Sequence, residues 1–493
     1  MCAGAVLLKH LGLKTGDGLV LLSENNESFL PIYWAAQISG LYFTPVSTQF
    51  QRAEIEYLLN DCDAGVLVVS SVQWGKLADM QIPQEHIFTI EQWQSECQKL
   101  AIGISSFSIP GDSVEGAEML YSSGSTGKPK GIRNAKPGAK PGHIPEIMKL
   151  RLILHEIDNT CTYLSTAPLY HSAPLRYNQM VLRSGGTSII MAKFDAETSL
   201  QLIEQYQATH SQWVPTMFIR LLKLPETTQK QYSLESHRIA IHAAAPCPVE
   251  VKNRMFDWWG PILYEYYGGT EGNGQTAISP EEWLKHPGSV GRSISSAIIH
   301  IQPLPTPESK TTGDSVPEQV DLPHGESGLV YFAGGTRFAY YKDAEKTRAC
   351  QTESGWSTLG DIGYLDGEGY LYLTDRISFM IISGGVNIYP QEVENVLLTH
   401  PSVLDCAVFG IPDPEFGEEV KAAIQLNDSL LDALSIPEQE KLKQQLIRFC
   451  KNNLAHLKCP RSIDFHLMLP RHQTGKIYKH QLRDAYQTGS IQA

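Results

Sequence analysis

The chain has no excess of positive charge: 40 lysines and arginines face 53 aspartates and glutamates, a formal net charge of −13 over 493 residues. That balance argues against nucleic acid or an anionic membrane as the main partner and leaves small molecules. No apolar run approaches the roughly 18 residues of a membrane span, and the first residues show neither a signal-peptide core nor a Met-Gly lipidation start. No integral membrane segment is therefore expected, and a cytoplasmic location is. The nine cysteines are an odd number, scattered from Cys2 to Cys459 without a CxxC pair. This usage suits a reducing compartment and disfavours a zinc site, with Cys247 and Cys459 reading as buried filler. Internal repeats and low-complexity tracts are also missing.

What the chain does have is length for two or more domains and an α/β signature. Short apolar runs such as Leu19 to Leu22 and Val66 to Val69 alternate with helical patterns such as Phe29 to Ser39. The mixed pattern continues through Thr187 to Ala192, a helix around Ala196 to Gln207, and the apolar Trp213 to Leu222. Residues 303 to 325, rich in Pro, Ser, Thr, Gly and acid, read as a surface loop. The turn signals Asp366-Gly and Glu368-Gly set up a hairpin at Tyr370 to Thr374. A new unit begins near Met380, with one helix from Pro390 that breaks before Pro401 and another over Pro437 to Leu454, where Leu442, Leu446, Ile447, Cys450 and Leu454 share a face.

The run Tyr121-Ser-Ser-Gly-Ser-Thr-Gly-Lys-Pro-Lys-Gly131 is fit to hold a polyphosphate. Gly124 and Gly127 let backbone N–H groups approach an anion, Ser122, Ser123, Ser125 and Thr126 add donors, and Lys128 and Lys130 add charge. It is not a Walker loop: Ser122 stands where that motif needs glycine, and Pro129 where it needs Ser or Thr. Its context is strand, loop, strand.

Four distant segments complement it. Tyr266-Tyr-Gly-Gly-Thr-Glu-Gly272 sets a hydroxyl and a carboxylate, Thr270 and Glu271, side by side on a glycine-rich turn, where oxygen ligands suit Mg²⁺ and the Tyr267 ring can stack on a purine. Gly360-Asp-Ile-Gly363 with Asp375-Arg376 offers a carboxylate, Asp361, and a guanidinium, Arg376, to ribose hydroxyls. Ile382-Ser-Gly-Gly-Val-Asn-Ile-Tyr-Pro390 is a flexible double-glycine loop leading into a helix. Leu469-Pro-Arg-His-Gln-Thr-Gly-Lys476 places one lysine beyond a Pro/Gly-punctuated loop. Each segment alone is what an ordinary turn or surface looks like.

Together, in this order and spacing, they resemble the adenylate-forming superfamily, and most closely its acyl-CoA synthetase branch, from Leu11 to Tyr486. The resemblance implies an α/β fold: a large, multi-subdomain AMP-binding N-terminal domain over residues 1–376 and a small, mobile α+β C-terminal domain over 377–493. It implies that Ser122 to Lys130 binds triphosphate. It also implies that Ala244, Ala245 and Pro246 flank adenine opposite Tyr267 and Gly268, and that Asp361 and Arg376 hold ribose. Thr270 would contact phosphate, Glu271 would hold Mg²⁺, and Lys476 would bridge the substrate carboxylate and the α-phosphate. ATP, Mg²⁺ and coenzyme A are the implied cofactors and co-substrates. The small domain would rotate between half-reactions, bringing Ser383, Gly384 and Gly385 toward the thiol. At the expected pivot Ser378 stands where relatives carry Asp or Lys. Relatives also have some tens of residues before the match to Leu11, so the start is expected to be misassigned or truncated.

Pro168-Leu-Tyr-His-Ser-Ala-Pro174 resembles the segment that guards the acyl site, putting His171 between nucleotide and acid. His210 to Phe218 should border the acyl pocket, with Trp213, Met217 and Phe218 making it apolar. Neither segment carries a carboxylate for an α-amino group, which counts against amino-acid substrates. The expected activity is an ATP-dependent ligase joining a hydrophobic carboxylic acid, a medium- or long-chain fatty acid first, to coenzyme A. Aryl or steroid-derived acids, acyl transfer to a carrier protein in trans, and a truncated non-catalytic paralogue that binds nucleotide or acyl ligand are the alternatives. The tail after Lys476 is too short for a fused carrier domain.

Overall fold

The computed structural model describes residues 1–102, 113–122, 129–133, 137–305, 320–426, 430–431, 433–471 and 477–487. The first sheet has five strands in the spatial order His86–Thr89, Ala64–Val69, Gly18–Leu22, Tyr42–Val46, Ala117–Glu118, all parallel. Its central strand reads Gly-Leu-Val-Leu-Leu because both faces are covered: Leu19 and Leu21 enter one core cluster, Val20 and Leu22 another. Continuous apolar runs of this kind are what a parallel sheet between helices requires.

The second sheet has seven strands in the order Arg292–Ser293, Gln275–Ile278, Leu263–Gly268, Ile239–His242, His210–Trp213, Thr162–Ser165, Thr187–Ile190. It is parallel except where the chain turns back on itself, with Leu263–Gly268 antiparallel to Gln275–Ile278. Side chains alternate strictly. Leu164, Trp213, Ala240 and Leu263 face one helical layer, while Tyr163, Ile239, Ile241 and Tyr266 face the other. A third, antiparallel sheet runs Ile298–Gln302, Gly328–Ala333, Asp361–Leu365, Leu371–Arg376. The expected hairpin is its last pair. Of the expected surface loop at 303 to 325, residues 306–319 lie outside the described residues.

From Ile381 onward the chain builds a separate core around Ile388, Val393, Val408, Ile424 and Leu446. In the long hairpin Val403–Asp413 and Gly417–Leu426, the free edge of the second strand pairs with Ile381–Ser383 at its start and with the parallel strand Ser462–His466 further along. The helix Pro390–Leu397 carries its proline in the first turn, and Ile436–Asn453 opens with a Ser435/Glu438 capping box. The double-glycine segment, expected as a flexible loop, is instead a tight hairpin between Ile381–Ser383 and Val386–Ile388. Gly384 and Gly385 have φ of 57° and 79°, the two successive positive values that a two-residue turn of this hand needs. The molecule is thus mixed α/β, with a large N-terminal unit and a small C-terminal one. Among the described residues, no helix is long and apolar enough to cross a membrane.

Candidate active site

Three of the expected nucleotide residues meet in one contact. Asp361 and Arg376 are direct partners in the antiparallel register of their two strands, so the hairpin itself brings them together. Arg376 Nε donates to Asp361 Oδ1 at 2.7 Å, and the Tyr267 hydroxyl donates to Oδ2 at 2.6 Å. Asp361 is 6% exposed. Burial, then the Asp361 charge, raise the Tyr267 phenol well above its ordinary value, and Asp361 first of all raises the Arg376 guanidinium. A carboxylate offers about four lone-pair sites, so Asp361 keeps acceptor capacity for ribose hydroxyls beside these two donors.

The Ala243 to Pro246 segment follows the strand Ile239–His242, whose His242 pairs with Glu265 in parallel register. Two residues further along each strand stand Ala244 and Tyr267, level with one another at the carboxyl ends. Ala244 has φ of 77°, an uncommon conformation for a residue with a Cβ and a form of strain that gathers at ligand sites.

The phosphate side assembles around Glu271. Residues Ser123 to Lys128 lie outside the described residues, as does the side chain of Ser122. Their anchors are described: Ser122 pairs with Lys130 in a two-stranded ladder, and the Tyr121 hydroxyl donates to Asp61 at 2.6 Å. Lys130 Nζ stands 5.0 Å from the centre of the Tyr340 ring, and the Tyr340 hydroxyl donates to Glu271 Oε1 at 2.9 Å. Burial, then the neighbouring Lys346, hold the Lys130 ammonium below its ordinary value. Thr270 Oγ1 lies 3.3 Å from the Ser172 hydroxyl, in the first turn of the helix Ser172–Arg183. His171 immediately precedes that helix, its ring edge-on to Tyr170 at 4.5 Å. Gly269 lets Leu359 and Glu271 pack close: a Cβ there would sit 2.1 Å from Leu359 Cδ1 and 2.9 Å from Glu271 Oε2, so both side chains would have to move.

No group of three or more His, Cys, Asp or Glu side chains among the described residues forms a metal cage. One buried carboxylate beside a hydroxyl fits Mg²⁺ in its usual mode, bound mainly through nucleotide phosphates and water.

The acyl wall differs from expectation. Trp213 is 1% exposed and Phe218 fully buried, and both pack with Phe194 and Trp259 in the core of the helical layer behind the sheet. Met217 reaches Thr166 Oγ1 with its sulfur at 3.3 Å from the same side. The opposite face of the strand His210–Trp213 presents Gln212, which accepts from Tyr163 at 3.2 Å and donates to Tyr266 at 3.4 Å. Tyr163 and Tyr266 on that face pack against Tyr177 of the helix that Ser172 opens, and all three are buried. Apolar character alone does not tell a pocket wall from a core.

Lys476 lies outside the described residues, but its flanks do not. Arg471 and Ile477 form an antiparallel bridge, Arg471 is gripped by Asp405, and Tyr478 has its phenol pushed up to about 12 by burial and by Glu54 and Tyr170. Ser383, Gly384 and Gly385 form their hairpin within the C-terminal unit, where Gly384 N donates to Phe416 O at 2.8 Å. Sequence reasoning missed Tyr340 and Ser172. Ser172 adjoins a singled-out histidine, but nothing local marks Tyr340.

Residues 1–341 match the family described as AMP-binding enzyme, and residues 392–476 its C-terminal domain. A feruloyl-CoA synthase from Amycolatopsis sp is 29% identical over 97% of this chain and 90% of its own length. A long-chain-fatty-acid–CoA ligase of Mycobacterium tuberculosis is 28% identical over 98% of this chain and 90% of its own. The crystal structure of the ATP-bound RpMatB-BxBclM chimera B1 superposes with a TM-score of 0.82 at 25% identity, covering 99% of this chain and 92% of that one. The chain belongs to the AMP-binding, adenylate-forming enzymes and, within them, to the AMP-forming acid–CoA ligases.

Proposed function

We propose that this enzyme activates a hydrophobic carboxylic acid as its acyl-adenylate and transfers the acyl group to coenzyme A. The observation that carries the reading is the turn at Tyr267 to Glu271, whose residues touch a buried Asp361–Arg376 pair on one side and the Tyr340–Lys130 contact and Ser172 on the other. Adenosine would lie along Ala244, Ala245, Pro246, Tyr267 and Gly268, with ribose on Asp361 and Arg376. The triphosphate would run from Thr270 toward Lys130 and the loop at Ser123 to Lys128. Mg²⁺, held through Glu271, would offset phosphate charge.

In the first step a carboxylate oxygen attacks the α-phosphorus and the bond to pyrophosphate breaks, with Lys476 and the loop donors neutralising the anions that meet. In the second the thiolate attacks the acyl carbonyl and AMP leaves. Lys476 serves only the first step. The turn from Arg376 to Met380 would be the pivot between the domains at 1–376 and 377–493. Phe379 N and Met380 N both return to Arg376 O there, and exposed Ser378 is free to absorb the torsion.

A medium- or long-chain fatty acid was expected from the apolar Trp213, Met217 and Phe218. Trp213 and Phe218 are packed in one core and Tyr163 and Tyr177 in another, so fatty and aryl acids both stay in the panel. Pyrophosphate release and thioester formation with MgATP across a panel of fatty and aryl acids, with and without coenzyme A, test the reading. Thioester formed only with coenzyme A present is expected. Adenylate without thioester would point to a carrier protein as acceptor, and no turnover with any acid would refute ligase activity.

A further inference from the structure

The helix Ser172–Arg183 carries two arginines, and each has its counter-charge: Arg176 Nε lies 2.8 Å from Glu118 Oε2, and Arg183 pairs with Glu115. Arg151, on the neighbouring helix Glu146–Leu154, has no carboxylate partner among the described residues. Its Nε and Nη2 converge instead on a neutral oxygen, Gln275 Oε1, at 3.0 and 2.6 Å. The guanidinium stands 5.4 Å from the Tyr266 ring centre and 5.9 Å from that of Tyr177. Gln275 is 5% exposed, and its Nε2 is buried with no hydrogen-bond partner. A cation without an anion and a buried N–H₂ without an acceptor thus lie side by side. Unsatisfied buried donors are rare in native proteins, and a ligand oxygen is one way to satisfy them.

Their place in the fold ties them to the acid. Gln275 is the direct strand partner of Gly268, at the start of the turn that carries Thr270 and Glu271. Tyr177 lies five residues along the helix from Ser172, whose hydroxyl meets Thr270, a distance of roughly 7–8 Å at the helical rise. That length suits a compact acid reaching from the Thr270 turn toward Arg151 and Gln275.

We propose that Arg151 and Gln275 Nε2 determine acid specificity by taking a second carboxylate, so that the preferred substrate is a compact dicarboxylic acid with one carboxylate held here while the other is adenylated. The inference rests on the acid–CoA ligase reading above. Arginine is suited to the task because its planar donors match a carboxylate bidentately. A site built to bond a polar group discriminates strongly against an analogue that lacks it.

The test compares a dicarboxylic aryl acid with the monoacid of the same length, in the wild type, Arg151→Met and Arg151→Lys. Pyrophosphate release gives kcat/KM, and calorimetry without ATP gives acid binding. The wild type is expected to prefer the diacid by about tenfold or more. Arg151→Met should collapse that ratio through KM, and Arg151→Lys should restore part of it. A wild type that prefers the monoacid, or a ratio unchanged in Arg151→Met, overturns the proposal. If neither acid releases pyrophosphate, it is the ligase reading that fails, and calorimetry still decides: diacid binding lost in Arg151→Met supports the site, and equal binding refutes it. Should Arg151→Met fail to fold, Arg151→Lys decides: a reduced diacid preference supports the proposal and an undiminished one overturns it.

Discussion

Replacing Asp361 by asparagine keeps the shape of the side chain and removes half of its acceptors. In the native protein Oδ1 receives Arg376 Nε at 2.7 Å and Oδ2 receives the Tyr267 hydroxyl at 2.6 Å. An asparagine has one oxygen, so it can keep one of these donors and must turn an N–H₂ toward the other. Losing one hydrogen bond to a charged group costs about 1.5–3 kcal/mol, and the surviving bond weakens because its acceptor is neutral. The expected loss of stability is therefore about 2–4 kcal/mol, read from the denaturant midpoint. The ribose contact loses an acceptor in the same way, so KM for ATP should rise about 10- to 150-fold. The cycle with Tyr267→Phe sharpens the test. If both side chains act through one carboxylate, their effects on stability should fall short of additivity by about 1 kcal/mol or more. A KM for ATP that stays put while the midpoint falls would make Asp361 a structural residue and refute the ribose assignment.

Lys476→Ala should cripple pyrophosphate release while sparing thioester formation from preformed acyl-adenylate; equal loss of both half-reactions would contradict the role given to it. Phe218→Ala should destabilise the protein by about 3–5 kcal/mol, as truncating a packed core aromatic does, and leave the acid preference alone. A changed chain-length preference would instead restore Phe218 to the acid pocket. Lys223 Nζ reaches across to Val403 O at 2.8 Å, and burial, opposed by Asp405, pushes its ammonium down to about 8. An unfolded lysine stays protonated to about pH 10, so the native state releases its proton first. The site weakens the fold below about pH 8 and ceases to do so as pH rises toward 10; denaturant midpoints in Lys223→Met should lack that rise, and identical slopes in the two proteins would exclude it.

The elements that sequence pattern placed well are those whose determinants are local. The hairpin that joins Asp361 to Arg376 is set by turn residues within a few positions, and its register delivers the pair face to face. The two strands that flank the phosphate segment form for the same reason, with Ser122 against Lys130. The double-glycine segment was located but misjudged in kind, since glycine signals both mobility and the positive φ of a tight turn. Tyr340 was out of reach. Its hydroxyl meets Glu271 from another strand system, and no nearby residue announces that partner.

Apolarity does not locate the acid site, for a reason that can be stated from four residues. His210, Ser211, Gln212 and Trp213 alternate across their strand, and a hydrophobicity argument selects Trp213, which is buried in the layer opposite Gln212. A parallel strand covered on both faces offers apolar residues to either side, so apolarity carries no information about which side binds substrate. Both faces also bury polar groups: Ser211, His242 and the Lys252–Glu265 pair lie on the Trp213 side, and Gln212 bonds Tyr163 and Tyr266 on the other, where Arg151 and Gln275 meet beside Tyr266. Maintaining such a face is costly unless its groups are satisfied. The Arg151 charge and the orphaned Gln275 amide are the features on which the proposed acid site rests.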